Sequence, residues 1–206
     1  MRTWPGPAER PATETVAGAY RFRMTDAAPP PSPEEGDLLR AARRGDAAAF
    51  AALYQRHAKA VHSLALRLCG NVETAEDITQ DTFLKMLRFL PGLRAELPLR
   101  PWLKRTASNA VIDHLRRNWR AMPLPDDDIL ASAGTPAEST AEILGLLRRL
   151  SPPARTVIWL HLMEGWSHKD LAQRFGHSES WSKSVLSRAL SQLRADLSNS
   201  EMQEDE

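Results

Sequence analysis

The chain has 206 residues, 42% of them hydrophobic and 26% charged, with a formal net charge of +1; this ordinary balance fits one domain or two small ones and excludes a fibrous protein. A single cysteine, Cys69, excludes an intrachain disulfide and a cysteine-based zinc site, and its place in an apolar helical stretch beside Gly70 marks it as a small buried hydrophobe. No apolar run approaches the roughly 18 residues that cross a bilayer, and the first residues lack the apolar region of a signal peptide, so a cytoplasmic protein is expected.

The small net charge hides an uneven distribution. Residues 37–120 hold 15 Lys/Arg against 8 Asp/Glu, and residues 141–195 hold 8 against 4. Between them lie Asp126, Asp127, Asp128 and Glu138 with no Lys or Arg, and the stretch from Asp196 to Glu206 is acidic again. Two basic modules separated by an acidic segment fit a polyanion partner, although a solvated helical surface is often mildly basic as well.

Residues 1–31 are rich in Pro and Ala and end in Pro29-Pro30-Pro31, a composition that predicts a disordered arm. Met24, just ahead of the first helical signal, offers an alternative translation start, which the intact mass of the native protein tests. Ser32-Pro33-Glu34-Glu35 predicts a helix start with a serine cap, a proline in the first turn and Glu35 closing a capping box. After Gly45, Asp46 is placed to cap a second helix in which Phe50, Leu53, Tyr54, Val61, Leu64, Ala65 and Leu68 recur at spacings of three, four and seven until Gly70. Asn71 starts a third, with Ala75, Ile78, Phe83, Met86, Leu87 and Leu90 expected toward a core before Pro91-Gly92. A loop to Pro98 follows. A fourth helix is predicted from Pro101 to about Trp119, with Leu103, Ala107, Ala110, Val111 and Leu115 inward.

Residues 121–140, with Pro123, Pro125, Gly134 and Pro136, read as a solvated acidic linker. Beyond it come a leucine-rich helix (Ile143, Leu144, Leu146, Leu147, Leu150) and a helix from Ser151-Pro152 carrying Val157, Ile158, Leu160 and Leu162, ended by Gly165. A short helix follows, opened by the Ser167-x-x-Asp170 capping box and broken by Gly176; the last is capped by Ser178. Two helices across a short glycine-containing turn, inside a small basic module, form a helix-turn-helix pattern. No strand-period run and no internal repeat is found. The expectation is an all-α chain of two small helical domains: an arm at 1–31, a four-helix module at 32–120, the linker at 121–140, the helix-turn-helix module at 141–197 and an acidic tail at 198–206.

On a helical wheel, the last helix turns Leu186, Ala189, Leu190 and Leu193 toward the core, while Ser180, Trp181, Lys183, Ser184, Ser187 and Arg188 remain for a major groove. Arg188 has the fork that reads guanine, serines contact bases or phosphate, and an indole edge packs on a thymine methyl. Trp181 fits a cover over its own helix junction equally well. On the fourth helix, Arg105, Ser108, Asn109, Ile112 and Arg116 are expected opposite the core stripe, with Arg117 and Arg120 following; polar groups beside arginines and an apolar residue suit an unstacked single-stranded base. A plain amphipathic helix also accounts for the arginines. Glu73, Glu76, Asp77 and Asp81 favour the third helix's N-terminal dipole, and because they repel DNA they also fit a basic protein partner.

Catalytic signals are absent. His161, Glu164 and His168 do not have zinc-protease spacing and are interrupted by Gly165, His57 and His62 are misaligned on a helix, and neither a phosphate-cradling glycine loop nor a nucleophile elbow occurs. No enzymatic activity, metal or cofactor is expected.

Residues 75–83, Ala-Glu-Asp-Ile-Thr-Gln-Asp-Thr-Phe, resemble the polymerase-binding motif of sigma region 2. Leu99-Arg100-Pro101-Trp102-Leu103 through Asp113-His114-Leu115-Arg116-Arg117 resembles the promoter-melting segment that follows, and residues 148–190 are similar to sigma region 4. With the short linker, this resembles the extracytoplasmic-function (ECF) group of bacterial sigma factors over roughly residues 37–195. The resemblance implies an alternative sigma factor whose Glu76, Asp77, Gln80, Asp81 and Phe83 serve binding of the core RNA polymerase β′ coiled coil. It implies that Arg100, Trp102, Lys104, Arg105, Ser108, Asn109, Arg116 and Arg117 contact the −10 element, with a flipped base near Asn109 and the Leu90–Pro98 loop. Ser180, Trp181, Lys183, Ser184, Ser187 and Arg188 would read the −35 element. Its implied partners are core RNA polymerase, through the β′ coiled coil and the β flap, promoter DNA and an anti-sigma factor. The sequence departs from the family at Leu99, commonly phenylalanine, at Ser182, commonly aliphatic, at Val185, commonly arginine, and at Trp181, commonly threonine; Ser182, pointing inward, would hold the recognition helix less firmly or shift its register. The alternative, a stand-alone helix-turn-helix regulator, would need a dimerisation surface, for which no heptad or receiver-like pattern is found.

Overall fold

The structure, a computed structural model, describes residues 32–93, 98–121 and 145–204. The expected arm at 1–31 and the expected linker, except for Ala121, lie outside the described residues, as do Ile143 and Leu144 of the leucine-rich segment.

All regular structure among the described residues is helical: α1 (Pro33–Arg43), α2 (Ala47–Cys69), α3 (Val72–Phe89), a 3-10 turn (Leu90–Gly92), α4 (Leu99–Ala121), α5 (Pro152–Leu162), α6 (His168–Phe175) and α7 (Glu179–Glu204). Residues 145–148 add a helical turn ahead of α5. The starts follow from side-chain oxygens that accept orphaned backbone N–H groups. Ser32 Oγ accepts from Glu35 N at 3.2 Å, Asp46 Oδ1 from Ala48 N and Ala49 N at 2.9 and 3.1 Å, and Asn71 Oδ1 from Thr74 N at 2.8 Å. α2 stops at Gly70, whose φ of +76° suits the left-handed residue that ends a helix.

The capping box expected at α1 does not close. The Glu35 carboxylate instead accepts Leu99 N at 3.0 Å and lies 3.2 Å from His57 Nε2, so a tertiary use replaces the local one. Thus α1 is tied to the start of α4 and the middle of α2.

The chain divides into two compact units, one of residues up to His62 with Asp77–Ala107, the other of Ser63–Glu76 with Ser108–Glu206. In the first, Leu39, Leu53, Val61, Phe83, Met86, Leu93, Leu99 and Leu103 are at most 3% exposed; burying one such side chain contributes about 1.5–3 kcal/mol. Arg43 Nε donates to Leu90 O at 3.0 Å, fixing the 3-10 turn. In the second, Leu147, Leu150, Ile158 and Ala189 form a core against which Ala154, Trp159, Leu186, Leu190 and Leu193 pack, as the wheel of the last helix predicts.

Three face assignments need correction. Leu87 was expected in the core but is 50% exposed, whereas Ser108 and Ile112, expected on the outer face of α4, are 1% and 0% exposed. The expectation assumed one apolar face per helix. α4 is buried on most of its circumference, with Leu99, Trp102, Leu103, Ala107, Ser108, Val111 and Ile112 all enclosed. At the other end of the chain α7 continues to Glu204, so residues 198–204, read as tail, are helical in backbone.

Candidate nucleic-acid interface

Three surfaces carry the residues singled out from the sequence. On α3, Glu76, Asp77, Gln80 and Asp81 are all exposed. Leu84 and Leu87, at 51% and 50% exposure, continue the same stripe one and two turns on, because residues at i, i+3, i+4 and i+7 share a helix face. The stripe is acidic at one end and apolar at the other. Phe83 is not part of it: it is 3% exposed and its ring lies 4.6 Å from that of Tyr54, anchoring α3 to α2. Leu84 was missed from the sequence, yet its spacing from Asp77 and Asp81 was the available signal.

On α4, Arg100 and Arg117 are exposed and Lys104, Arg105, Asn109 and Arg116 half-buried. Trp102 is 5% exposed and meets the Phe89 ring in a T-shaped arrangement with centroids 6.5 Å apart, and Ser108 is enclosed as described. Of the basic residues only Arg100 and Arg117 are fully open to solvent, Lys104, Arg105 and Arg116 being partly covered, and Trp102 and Ser108 lie buried in the same helix. Thr106 Oγ1 donates to Trp102 O at 2.8 Å, reinforcing the first turns.

The helix-turn-helix is built by α6 and α7. Ser167 Oγ accepts Asp170 N at 3.1 Å and the Asp170 carboxylate takes the Ser167 N–H at 3.4 Å, completing the predicted capping box. Gly176, at φ +80°, makes the turn, and Ser178 Oγ accepts Trp181 N at 3.2 Å to start α7. Ser180, Lys183, Ser184, Ser187 and Arg188 are exposed on α7, and Trp181 is half-buried. The Trp181 ring stacks on His177 at 4.3 Å and tilts against Phe175 at 5.2 Å, so its indole covers the helix junction. Lys183 pairs with Glu179 at 2.9 Å, an exposed ion pair that a phosphate can displace.

Ser182 is fully buried, and its hydroxyl finds a partner in His168 Nδ1 at 3.0 Å. His168 stacks on His161 at 4.2 Å, and His161 Nδ1 donates to Trp166 O at 2.7 Å. Burial, followed by the neighbouring His161, lowers the His168 pKa, favouring the neutral ring. The inward serine is thus satisfied by a polar column through the domain rather than by apolar packing.

Among the described residues, no group of three or more His, Cys, Asp or Glu is placed to hold a metal ion, and no helix is long and apolar enough to cross a membrane. A concavity of about 720 Å³ between α1 and the start of α2 is lined by both signs of charge, from Glu34 and Asp37 to Arg40 and Arg56, with no convergent catalytic set.

An all-helical chain with a helix-turn-helix, two basic helix faces and one acidic face defines a nucleic-acid-binding protein of transcription. Comparison with known proteins refines the class. Residues 53–121 match Sigma-70 region 2 and residues 140–193 match Sigma-70, region 4. The ECF RNA polymerase sigma factor SigM of Mycobacterium tuberculosis (strain ATCC 25618 / H37Rv) is 32% identical over 161 residues, 77% of this chain and 82% of SigM. The RNA polymerase sigma factor CarQ of Myxococcus xanthus is 31% identical over 171 residues, covering 78% and 96%. Among solved structures, the sigma factor RpoE in complex with the anti-sigma factor NepR from Bartonella quintana is 25% identical, with a TM-score of 0.48, covering 72% of this chain and 96% of that one. The chain belongs to the ECF sigma factors. It is an alternative sigma factor, which binds core RNA polymerase and directs promoter recognition, DNA melting and the start of transcription.

Proposed function

We propose that the three surfaces divide these tasks. The exposed stripe of Glu76, Asp77, Gln80 and Asp81 binds the β′ coiled coil of core polymerase, Leu84 and Leu87 extend the contact, and Phe83 positions α3 from within. The α4 strip, with Arg100, Lys104, Arg105, Asn109, Arg116 and Arg117, holds the unpaired −10 strand on Trp102 and Ser108 as its buried support. Ser180, Lys183, Ser184, Ser187 and Arg188 read the −35 duplex in the major groove, with Trp181 setting the angle of α7 against α6. The observation that supports this reading is the grouping of charge on helix faces: Glu76, Asp77 and Asp81 are exposed together on α3, Arg100 and Arg117 are exposed on α4 with Lys104, Arg105 and Arg116 half-buried, and Lys183 and Arg188 are exposed on α7, so a basic protein and a nucleic acid are each offered a complementary face.

The protein acts without catalysing a reaction of its own, in the cytoplasm with the polymerase. Family membership adds the β flap and an anti-sigma protein to its partners. The test is co-elution of the purified chain with bacterial core RNA polymerase on size exclusion, followed by transcription from a pool of genomic fragments. Stable co-elution with discrete new transcripts is expected; tight duplex binding by a dimer that ignores polymerase would overturn the reading in favour of a stand-alone regulator.

A further inference from the structure

The recognition helix α7 is joined to its supports by polar contacts as well as by its apolar face. Ser182 lies on the side of α7 opposite Ser184, because two residues turn a helix by about 200°, and it is enclosed at 0% exposure. Its hydroxyl meets Nδ1 of His168, the first residue of α6, at 3.0 Å. The His168 ring in turn stacks on His161 of α5, with centroids 4.2 Å apart and planes inclined by 26°. His161 is fixed from its own side. A backbone carbonyl only accepts, so the 2.7 Å contact with Trp166 O puts a proton on His161 Nδ1, and Trp166 N donates back to Leu160 O at 2.8 Å. An unbroken run of contacts therefore leads from α5 through the following turn and α6 to the inner side of α7, behind the residues that face the groove.

We infer that His168 and Ser182 are positioning residues for −35 recognition: the neutral His168 ring, set between His161 and the Ser182 hydroxyl, holds α7 at the angle at which its outer face fits the groove, and a proton on that ring loosens the hold. The assignment of α7 to the −35 element is the reading given above, and the inference rests on it. A neutral ring suits the stack because two imidazoles in face contact repel when both are charged. Burial, His161 and Lys183 all disfavour a charge on His168, and Glu179 favours it; Lys183 and Glu179 are themselves paired at 2.9 Å, so their effects on the ring largely cancel. The positioned ring thus has a lower pKa than a released one. The hold is complete above about pH 6.5 and is lost as pH falls. His177, exposed beside Trp181, acts differently: a proton there adds positive charge toward every duplex alike, so preference between duplexes, not affinity, reports the joint.

The test uses the full chain assembled with core polymerase, native and with His168→Gln or Ser182→Ala. The probe is a promoter duplex recovered from the genomic-fragment transcription described above, against the same duplex with its upstream element scrambled. Glutamine keeps a hydrogen-bonding group beside Ser182 but does not titrate. The native preference should fall between pH 7.5 and 5.5, while His168→Gln keeps a preference that pH does not change. Ser182→Ala should lower the preference about two- to tenfold already at pH 7.5, the scale of one hydrogen bond, with circular dichroism unchanged. Amide exchange over residues 179–190 of the free chain, corrected for the intrinsic effect of pH, should quicken in acid in the native protein alone. An equal acid loss in His168→Gln, or native exchange that ignores pH, overturns the inference; should that variant not fold, an unchanged preference in Ser182→Ala does so. Exchange that quickens in acid with the preference intact upholds the joint and overturns the assignment of α7 to the −35 element.

Discussion

His57 sits 5% exposed within the first unit, where burial lowers its pKa from 6.5 more than Glu35 raises it, and Arg56 and Arg100 lower it further. A folded-state pKa below the unfolded one means that the unfolded chain takes up more protons near and below that value. Stability contributed by the neutral ring is therefore complete above about pH 6.5 and is lost as pH falls. The urea midpoint should drop between about pH 7.5 and 5.5, and His57→Gln should flatten that drop; an equally steep fall in the variant would remove His57 from the acid response. Cys69, expected as a small buried hydrophobe, is only half-buried; burial still raises its pKa, and its thiol donates to Asn71 O at 3.3 Å, because it stands at the open end of α2 beside Gly70. Glu35 was less legible. Its spacing from Ser32 fits a capping box, but the competing partners, His57 and the Leu99 N–H, are 22 and 64 residues away, and no local pattern announces them.

Helix starts were readable because a cap is a contact within three residues. Asp46, Asn71, Ser167 and Ser178 each do what their position predicts. Helix faces were readable only where one side of the helix meets a core, as in α7. α4, enclosed on most sides, concealed Ser108 and Ile112; α3, left open where a partner is proposed, exposed Leu87 despite an apolar period that points inward. Trp181 was ambiguous for a similar reason, since a tryptophan at that spacing suits either a groove or a junction, and only the positions of Phe175 and His177 decide it. The short helix α6 has eight residues and depends more than the long helices on its cap, because isolated short helices are unstable in water. Ser167→Ala should cost about 1 kcal/mol, measured by chemical denaturation, and should weaken −35 duplex binding by loosening α6 under α7. A stability loss with unchanged duplex affinity would show that α7 holds its angle without that cap.

At the scale of the whole molecule, the proposed division of labour rests on opposite charge carried by separate helix faces. Asp77→Lys with Asp81→Lys should abolish co-elution with core polymerase while circular dichroism stays unchanged, because both residues are exposed and carry no part of the core. Retained binding would take them out of the interface. The all-helical architecture was legible throughout because no segment carries a strand period. The arrangement of α5 and α6 against α2 and α4 was not, since Arg155 and Arg174 look like ordinary surface arginines in sequence and find their partners 61 to 85 residues away.

α7 runs unbroken in backbone from Glu179 to Glu204, so the sequence read as a tail continues the axis of the helix that carries Arg188. From Arg188 to Glu204 the axis advances about 24 Å, roughly three times the distance of about 8 Å over which physiological salt lets exposed charges sense one another. A charge at the far end of that axis is therefore electrically invisible, at physiological salt, to the residues proposed to read the groove, and only dilution of salt to about 0.01 M, where the screening distance grows to about 30 Å, would bring it into play.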